Sequence, residues 1–329
     1  MTVILAKENI EEKTALRDAY VQTLIEVAEK NDRVLALDAD LMLALGLGSF
    51  TKKFPERAIN VGVQEANMYG VCAGLSLVGY VPYAHTFACF ASRRAFDQIF
   101  MSCAYAKLNV RVVGSDPGVT AMFNGGTHMA FEDIALMRAV PQMTILEPVD
   151  SVMMCDLVRQ TADLYGMFYI RLMRKPQVNL YEEGSTFTIG KAVTLREGTD
   201  VTIIATGFLA WEALKAAQTL AERDIQARVL NMFTVKPVDQ EAILAAAQET
   251  GAVVTAENHN AMNGLGSAVA ETLVETCPVP MERIGVFEQF GEVGSLDYLK
   301  DHFGMTAAHI AEKAVKVINR KKQRISEPA

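Results

Sequence analysis

Short apolar runs alternate with amphipathic segments along most of the chain. A short apolar run bounded by turn residues is typical of a buried strand, and apolar positions three or four residues apart are typical of one face of a helix. The segment 15–30 shows the helical spacing, with Ala19, Leu24 and Val27 near one face. The alternation predicts β-α-β units around a parallel sheet, and hence the α/β fold class.

The pattern predicts two sets of elements. The first set has strands at 34–38, 58–61, 81–84, 110–114, 144–146 and 168–171, and helices at 15–30, 64–77, 91–106 and 131–139. The second set has strands at 201–205, 227–230, 253–256 and 283–286, and helices at 211–223, 239–249 and 266–275. A polar, turn-rich segment lies between the sets. We therefore expect two doubly wound α/β domains, residues 1–180 and 199–329, joined by a linker at 181–198.

Length, composition and charge restrict the class of protein. The 329 residues suffice for two domains, and a chain that is 50% hydrophobic and 21% charged is globular. The net charge of −8 argues against a nucleic-acid-binding protein, and the basic cluster 320–324 is interpreted as a solvated tail. The chain shows neither a membrane-spanning apolar stretch nor a basic-then-apolar leader, and its five cysteines form no Cys-x-x-Cys pair. We therefore expect a cytoplasmic protein with reduced thiols.

Candidate chemistry is sought beyond the carboxyl ends of the predicted strands, where parallel α/β sheets bind their ligands. Glu65 follows one such strand and starts a helix. It is either a first-turn carboxylate stabilised by the helix dipole, which the spacing alone favours, or a carboxyl group in an apolar pocket. In the second case a raised pKa would allow the carboxyl group to exchange a proton.

Two further loops carry candidate residues with equally open interpretations. Phe87 and Phe90 follow the next strand and are either core residues or a platform for stacking a ring. His128 ends the glycine-bearing segment 124–128 and is either a surface histidine or a site residue. The sequence contains neither a complete dinucleotide-binding fingerprint nor a Walker motif.

Taken in order, several blocks of this sequence resemble the pyrimidine-binding and C-terminal domains of transketolase-type thiamine diphosphate enzymes. The blocks are Asp38–Leu41, Asn60–Met68, Thr86–Ile99, Gly126–His128, Phe131–Arg138, Tyr169–Leu172 and Glu257–Ser267. The resemblance rests on their order and spacing and extends from about Ala15 to Ala314. It implies that residues 1–180 form the pyrimidine-binding domain and residues 199–329 the transketolase C-terminal domain.

The chain has no Gly-Asp-Gly sequence, the motif that in this family holds the diphosphate through a divalent metal. The resemblance therefore implies the C-terminal subunit of a split transketolase, inactive alone. It shares thiamine diphosphate with an N-terminal subunit, which binds Mg²⁺, while this chain binds no metal. Two copies are expected to form the homodimer core of an α₂β₂ heterotetramer. The implied reaction moves a two-carbon ketol unit from a ketose, expected to be phosphorylated, to an aldose acceptor.

The same resemblance implies roles for individual residues. Glu65 matches the glutamate that hydrogen-bonds N1′ of the aminopyrimidine and favours its reactive tautomer. Phe90 matches the aromatic residue that stacks on this ring, and Phe87 matches its neighbour. Asp40 belongs to the block that contributes to the cofactor site. His128 matches the histidine of the substrate channel, which bonds donor hydroxyls or a developing alkoxide.

Three positions on the substrate side depart from the family pattern. Asn124 stands where an aspartate usually binds a donor hydroxyl, and Asp116 and Ala44 replace a histidine and a serine that bind phosphate. Arg174, or alternatively Arg171, matches a phosphate-binding arginine. A carboxylate repels a phosphate group unless Asp116 is turned away or paired, so we expect a different phosphorylated, branched or otherwise modified sugar.

Other functions remain open at this level. The β subunit of a 2-oxoacid dehydrogenase E1 component has the same two domains, but the segments at 126–128 and 131–143 resemble the transketolase branch more. A 1-deoxyxylulose-phosphate synthase would need the missing domain in the same chain. A non-catalytic α/β subunit would use Glu65 only as a helix-start carboxylate. His259, in the second half, is predicted to be a hydrogen-bonded loop histidine.

Overall fold

The computed structural model describes residues 1–326 and contains two β-sheets flanked by α-helices. The strands are β1 Val34–Asp38, β2 Ala58–Asn60, β3 Val81–Phe87, β4 Val110–Ser115, β5 Met143–Leu146, β6 Met167–Leu172, β7 Val193–Arg196, β8 Val201–Ala205, β9 Ala227–Asn231, β10 Thr234–Lys236, β11 Val253–Asn260 and β12 Met281–Val286. The α-helices are α1 Leu16–Lys30, α2 Gly48–Lys53, α3 Glu65–Leu77, α4 Ala88–Ala91, α5 Phe96–Gln98, α6 Asp133–Ala139, α7 Ser151–Asp163, α8 Leu209–Ala221, α9 Gln240–Thr250, α10 Leu265–Thr276, α11 Leu296–His302 and α12 Ala307–Ser326.

Both sheets are mainly parallel. The first has the strand order β10-β5-β6-β4-β3-β1-β2, and its pairs are parallel except that of β10 with β5. The second has the order β12-β11-β8-β9-β7, and its pairs are parallel except that of β7 with β9. Strands β1, β4 and β8 are buried along their whole length, because helices cover both faces of such sheets. The predicted fold class, two α/β domains built on parallel sheets, is confirmed.

The segment after β3 differs from the single helix predicted at 91–106. It folds as α4, a 3₁₀ turn at Arg93–Ala95, α5 and a π-helix at Ile99–Ala104. The hydroxyl of Ser92 donates to the carbonyl oxygen of Ala88 at 2.6 Å, a local bond that competes with regular helix geometry. The carboxyl end of β3 is therefore followed by short helical turns, which carry residues of the site described below.

Several elements lie where the sequence pattern predicts none: α2, α7, α11, α12, β7 and β10. Strand β7 lies within the segment 181–198, which we predicted as a linker, and pairs with β9 of the second sheet. Strand β10 comes from the second half of the chain, yet it pairs with β5 of the first sheet. These strands have four and three residues, too few for a periodic signal. The division at 180 and 199 stays a prediction.

The last described element is α12, the 20-residue helix at Ala307–Ser326. Arg320 donates to Glu282 at 2.7 Å, and Lys321 donates to the carbonyl oxygen of Thr250 at 2.7 Å. For these two residues the interpretation of the basic cluster as a solvated tail is wrong, because their side chains pack against the second sheet and α9. The side chain of Arg324 lies outside the described residues. Neither α12 nor any other helix within residues 1–326 is both long and apolar enough to cross a membrane.

A buried group of charged side chains connects the two sheets around Arg171 on β6. Its guanidinium donates to both carboxylate oxygens of Asp133 at 2.7 and 3.0 Å, to Glu147, and to the carbonyl oxygen of Asn258 on β11 at 2.9 Å. Arg171 and Asp133 are completely buried. Arg171 therefore belongs to the core between the sheets, and its burial favours Arg174 as the predicted phosphate-binding arginine.

His259 also lies in this core region, on strand β11 and not in a loop. Its Nε2 accepts a hydrogen bond from the backbone N–H of Ala135 at 3.2 Å, and Nδ1 lies 2.7 Å from the carbonyl oxygen of Asn260. Burial lowers the pKa of His259 to about 4, so the imidazole is neutral. The prediction of a hydrogen-bonded histidine is confirmed.

Candidate active site

The carboxyl ends of the parallel strands form one edge of the first sheet, which carries the predicted site residues. In the register of β3, β4 and β6, Phe87 lies beside Ser115, and Ser115 beside Leu172. The loops that follow these strands therefore start from adjacent positions. Together with the loops after β1 and β2 they carry Asp40, Glu65, Phe87, Phe90, Asp116, Asn124, His128 and Arg174.

Glu65 is the first residue of α3 and is only 2% exposed. The chain reaches it from β2 through Gly62, whose φ of +74° is a conformation that glycine adopts without strain. Nη1 of Arg94 donates to Oε1 of Glu65 at 2.8 Å. Glu65 is thus buried, as the functional interpretation requires, but its pocket contains a guanidinium and is not purely apolar.

Phe87, Phe90 and His128 form an aromatic cluster beside Glu65. Their ring centroids lie 5.3 to 6.1 Å apart, and the rings meet edge to face. This range is typical of favourable aromatic pairs. Nδ1 of His128 lies 3.0 Å from the hydroxyl oxygen of Thr127. The structure therefore brings together three side chains that the sequence places in two separate loops.

Two arginines cover the two phenylalanine rings of the aromatic cluster. Cζ of Arg94 lies 3.9 Å from the centroid of Phe90, and Cζ of Arg174 lies 4.7 Å from that of Phe87. Arg94 thus presents a flat, N–H-bearing group that covers Phe90 and donates to Glu65 at the same time. An aminopyrimidine is also flat and carries nitrogen atoms at its edge, so these residues fit the ring that the resemblance implies.

Asp40 and Asp38 lie at the end of β1, next to this region. Asp40 is exposed, and its carboxylate accepts a hydrogen bond from Asn60 at 3.3 Å. Asp38 is completely buried, and its Oδ1 accepts a hydrogen bond from the N–H of Leu41 at 3.0 Å, whereas Oδ2 has no partner within the described residues. Burial raises the pKa of Asp38. Asp40 shares the edge with Glu65, and its role in the cofactor site stays a prediction.

A cavity of about 490 Å³ lies on the other side of the aromatic cluster. Its wall contains the cations Arg17, Arg174 and Lys175, and we call it the cationic pocket. The wall also contains Asp116 and Asn124, which together with Arg174 are the residues predicted to bind substrate. The carbonyl oxygen of Ala44 accepts from Arg17 at 3.2 Å and from Arg174 at 3.5 Å. An anionic group of a substrate would find complementary charge here.

Asp116 is paired inside the cationic pocket and does not turn away from it. Its Oδ1 accepts a hydrogen bond from the backbone N–H of Arg174 at 2.9 Å, and its Oδ2 accepts one from Nε of the same residue. Burial raises the pKa of the Asp116 carboxyl, and the Arg174 guanidinium opposes this shift. The pair reduces the net positive charge that the pocket presents.

Sequence patterns missed three residues of this region: Arg17, Arg94 and His85. Arg17 lies on α1, remote in sequence from the other pocket residues, and Arg94 lies in a segment predicted as an ordinary helix. His85 lies inside the buried strand β3 and makes an edge contact with Tyr20 at 5.2 Å. Both of its ring nitrogens lack a partner within residues 1–326. A periodic pattern contains no signal for such contacts, because each depends on how separate segments pack.

No group of three or more His, Cys, Asp and Glu side chains is placed to hold a metal ion in the part of the chain that the structure describes.

Two family models match this chain. The model of the transketolase pyrimidine-binding domain matches residues 12–177, and that of the transketolase C-terminal domain matches residues 190–310. The chain belongs to the transketolase family. It is 56% identical, over 93% of its length and 95% of the relative, to the 6-deoxy-6-sulfo-D-fructose transketolase subunit SqwH of Clostridium sp. strain MSTE9.

A solved structure and a longer relative show which part of a transketolase this is. The solved structure of a split gene transketolase, an inactive beta4 tetramer, is 41% identical and superposes with a TM-score of 0.88 over 93% of this chain and 99% of that one. Transketolase-like protein 1 of Macaca fascicularis is 35% identical, and this chain covers 50% of it. The chain corresponds to the C-terminal subunit of a split transketolase.

Proposed function

We propose that this chain binds the aminopyrimidine of thiamine diphosphate and the anionic end of a ketose, and transfers a two-carbon ketol unit to an aldose only with an N-terminal subunit. The observation that carries the proposal is that one guanidinium, that of Arg94, both bonds to the buried carboxylate of Glu65 and covers the face of Phe90. Bound thiamine diphosphate supplies the carbon nucleophile for breaking and making the carbon–carbon bond. The setting that we propose is carbohydrate metabolism in the cytoplasm.

The residues of this chain have separate tasks in the proposed reaction. Glu65 hydrogen-bonds N1′ of the aminopyrimidine and holds or releases a proton there, while Phe90 and Phe87 provide the apolar wall of the ring pocket. Asp40 contributes to the cofactor side. With Nδ1 directed at Thr127, Nε2 of His128 is the atom that we assign to a donor hydroxyl or a developing alkoxide.

On the substrate side, we propose that the cationic pocket holds the terminal anion of the donor. Arg174 and Arg17 supply charge there, and Asn124 supplies an amide to a hydroxyl group. The name of the Clostridium relative, which specifies a 6-deoxy-6-sulfo-fructose, supports a modified sugar over an ordinary pentose phosphate. We therefore propose a ketose with an anionic terminal group as the donor.

We propose that the diphosphate and Mg²⁺ are held by the N-terminal subunit, in an α₂β₂ assembly around a homodimer of this chain. The length comparison supports this, since the chain matches 95% of the transketolase subunit SqwH but only 50% of the macaque protein. Large apolar side chains near the site also support a covering partner: Phe290 is 97% exposed, Phe123 is 68% exposed and Val293 is 64% exposed. Val293 approaches the loop before His128 at Gly125, and Phe123 lines the cationic pocket.

Reconstitution tests the proposed function. The chain, its N-terminal subunit and the mixture would each be assayed with thiamine diphosphate and Mg²⁺ against ketose phosphates, a sulfonated ketose and 2-oxo acids, with an aldose acceptor. We expect ketol transfer by the mixture alone. Decarboxylation of a 2-oxo acid in place of ketol transfer would support the E1 β subunit. Absence of turnover and of cofactor binding in the mixture would support the non-catalytic subunit.

Removing the Arg94 side chain should tighten cofactor binding. The guanidinium bonds to the carboxylate of Glu65 and covers the face of Phe90, so the aminopyrimidine has to displace it. An ion pair with one exposed partner contributes up to about 1 kcal/mol, so Arg94→Ala should lower the dissociation constant of thiamine diphosphate by up to about fivefold. Calorimetric titration of the assembled, cofactor-free subunits measures this directly.

The matched control for that variant is Arg93→Ala. It removes the same charge from the adjacent residue, whose guanidinium bonds to the carbonyl oxygen of Thr127 and to Glu132 and makes no contact with Glu65. A smaller change in affinity is expected for the control. If Arg94→Ala instead weakens the binding of thiamine diphosphate, Arg94 is a ligand of the cofactor and does not compete with it.

A further inference from the structure

Asp116 is fixed inside the cationic pocket by its backbone and by its partner. Its φ of +50° lies in the left-handed region, where only a few residue types other than glycine, Asp and Asn among them, are common. The carboxylate spans the backbone N–H and the Nε of Arg174, and the residue is 4% exposed. Neither a rotation of the side chain nor solvent removes its charge from the pocket. Any anion bound beside Arg174 is therefore also close to a carboxylate.

The wall behind the two arginines adds no positive charge. His85 is completely buried, and burial together with the charges of Arg17 and Arg174 lowers its pKa to about 3. The imidazole is therefore neutral at physiological pH. The cations of the pocket are Arg17, Arg174 and Lys175, and Asp116 offsets one of them.

The charge of the terminal group of the ligand decides how strongly these residues attract or repel it. A phosphate monoester carries about −1.5 to −2 at pH 7, because its second pKa is about 6. A sulfonate has three similar oxygen acceptors but carries a single negative charge. The attraction by the three cations and the repulsion by Asp116 are both proportional to the charge of the ligand, so each is about twice as large for the phosphate. Asp116 therefore reduces the advantage that the positive pocket gives to a dianion over a monoanion. Shape and hydrogen bonding are similar for both groups, and charge separates them.

We propose that Asp116 lowers the preference of the cationic pocket for a doubly charged terminal phosphate relative to a singly charged sulfonate, and so allows a ketose with a sulfonate end to compete as the donor. The proposal rests on the proposed function and specifies its substrate class. Arg174 binds the anion in this scheme, while Asp116 orients Arg174 and reduces the affinity for dianions. The substrate named for the Clostridium relative is a sulfonated ketose, which agrees with this assignment.

The test is Asp116→Asn in the enzyme assembled with its N-terminal subunit. Asparagine tolerates a positive φ and keeps an acceptor oxygen for the N–H of Arg174, so the variant removes charge with little change in shape. The donors are 6-deoxy-6-sulfofructose and fructose 6-phosphate at pH 7.5. The variant should raise the ratio of phosphate to sulfonate kcat/KM about tenfold.

Asp32→Asn is the matched control. Asp32 is an exposed carboxylate that precedes β1, at the opposite edge of the sheet from the pocket, so this variant removes the same charge and should leave the ratio unchanged. A second measurement is the dissociation constant of each ketose, determined by calorimetry with the cofactor-free assembly. It does not require turnover, and it is made on both the variants and the unmodified enzyme.

The outcomes separate this inference from the proposed function. A ratio that is unchanged in Asp116→Asn, in turnover or in binding, overturns the inference. Ketol transfer would persist in that case. Absence of transfer from either ketose by the unmodified assembly contradicts the proposed function for these donors, while the two dissociation constants still test the charge selectivity of the pocket.

Discussion

Replacing Glu65 by Gln in the assembled enzyme should reduce the rate of ketol transfer about 10²- to 10⁴-fold, the range typical for the loss of a positioned proton-transfer group. Glutamine has the same shape and still bonds to a ring nitrogen, but it does not take up or release a proton. The buried position of Glu65 at the start of α3, beside Phe90, is the basis for this expectation. The measurement is single-turnover and steady-state transfer with purified, mixed subunits.

This substitution also separates the catalytic and structural interpretations of Glu65. A first-turn carboxylate with no catalytic role contributes about 0.3–1 kcal/mol to the helix, so its loss would lower the melting temperature slightly and leave turnover intact. Glu56→Gln is the control, since Glu56 is exposed and precedes β2 at the opposite edge of the sheet. Full activity of Glu65→Gln would remove Glu65 from the mechanism, whatever happened to stability.

Replacing Arg171 by Met should destabilise the chain by about 3–5 kcal/mol, the usual cost of removing one partner from a buried ion pair. Asp133 and Glu147 would then remain in the core between the sheets without their cation. Burial already raises the pKa of Glu147, while the Arg171 guanidinium opposes this shift. Urea unfolding of the chain alone, followed by circular dichroism, measures the effect.

Arg159→Met is the matched control for this stability prediction. Arg159 pairs with Glu26 on the surface, with both side chains about half exposed, and such pairs contribute only about 0–1 kcal/mol. If both variants unfold at the same urea concentration, the loss of Arg171 does not destabilise the buried carboxylates, and the prediction is wrong. A normal stability combined with a raised KM for the sugar would restore Arg171 as a candidate substrate ligand.

How much of the fold could be predicted depended on burial. Strands β1 and β8 are buried on both faces, so their apolar runs coincide with the observed bounds Val34–Asp38 and Val201–Ala205. The edge strands β7 and β10 were missed, because pairing at a sheet edge requires no apolar run. The helix predicted at 91–106 was wrong because helical spacing does not reveal the bond from Ser92 that interrupts it.

Site residues could be predicted from the sequence where they directly follow the carboxyl end of a predicted strand. Glu65, Phe87 and Phe90 follow strand ends, and the resemblance assigned roles to them. Arg94 and His85 were not recognised. The bond from Arg94 to Glu65 joins residues 29 positions apart, and the unpartnered nitrogens of His85 exist only because β3 is covered on both sides.

By itself the sequence determined the α/β class, the alternation of elements and the family, because these depend on local periodicity and on the order of short blocks. Only the tertiary structure distinguishes Arg171 from Arg174, two arginines three residues apart. Arg171 still belongs to β6 and meets carboxylates from Asp133 and Glu147, which desolvation forces to pair. Arg174 lies beyond the end of the strand, where its guanidinium remains available to an anion.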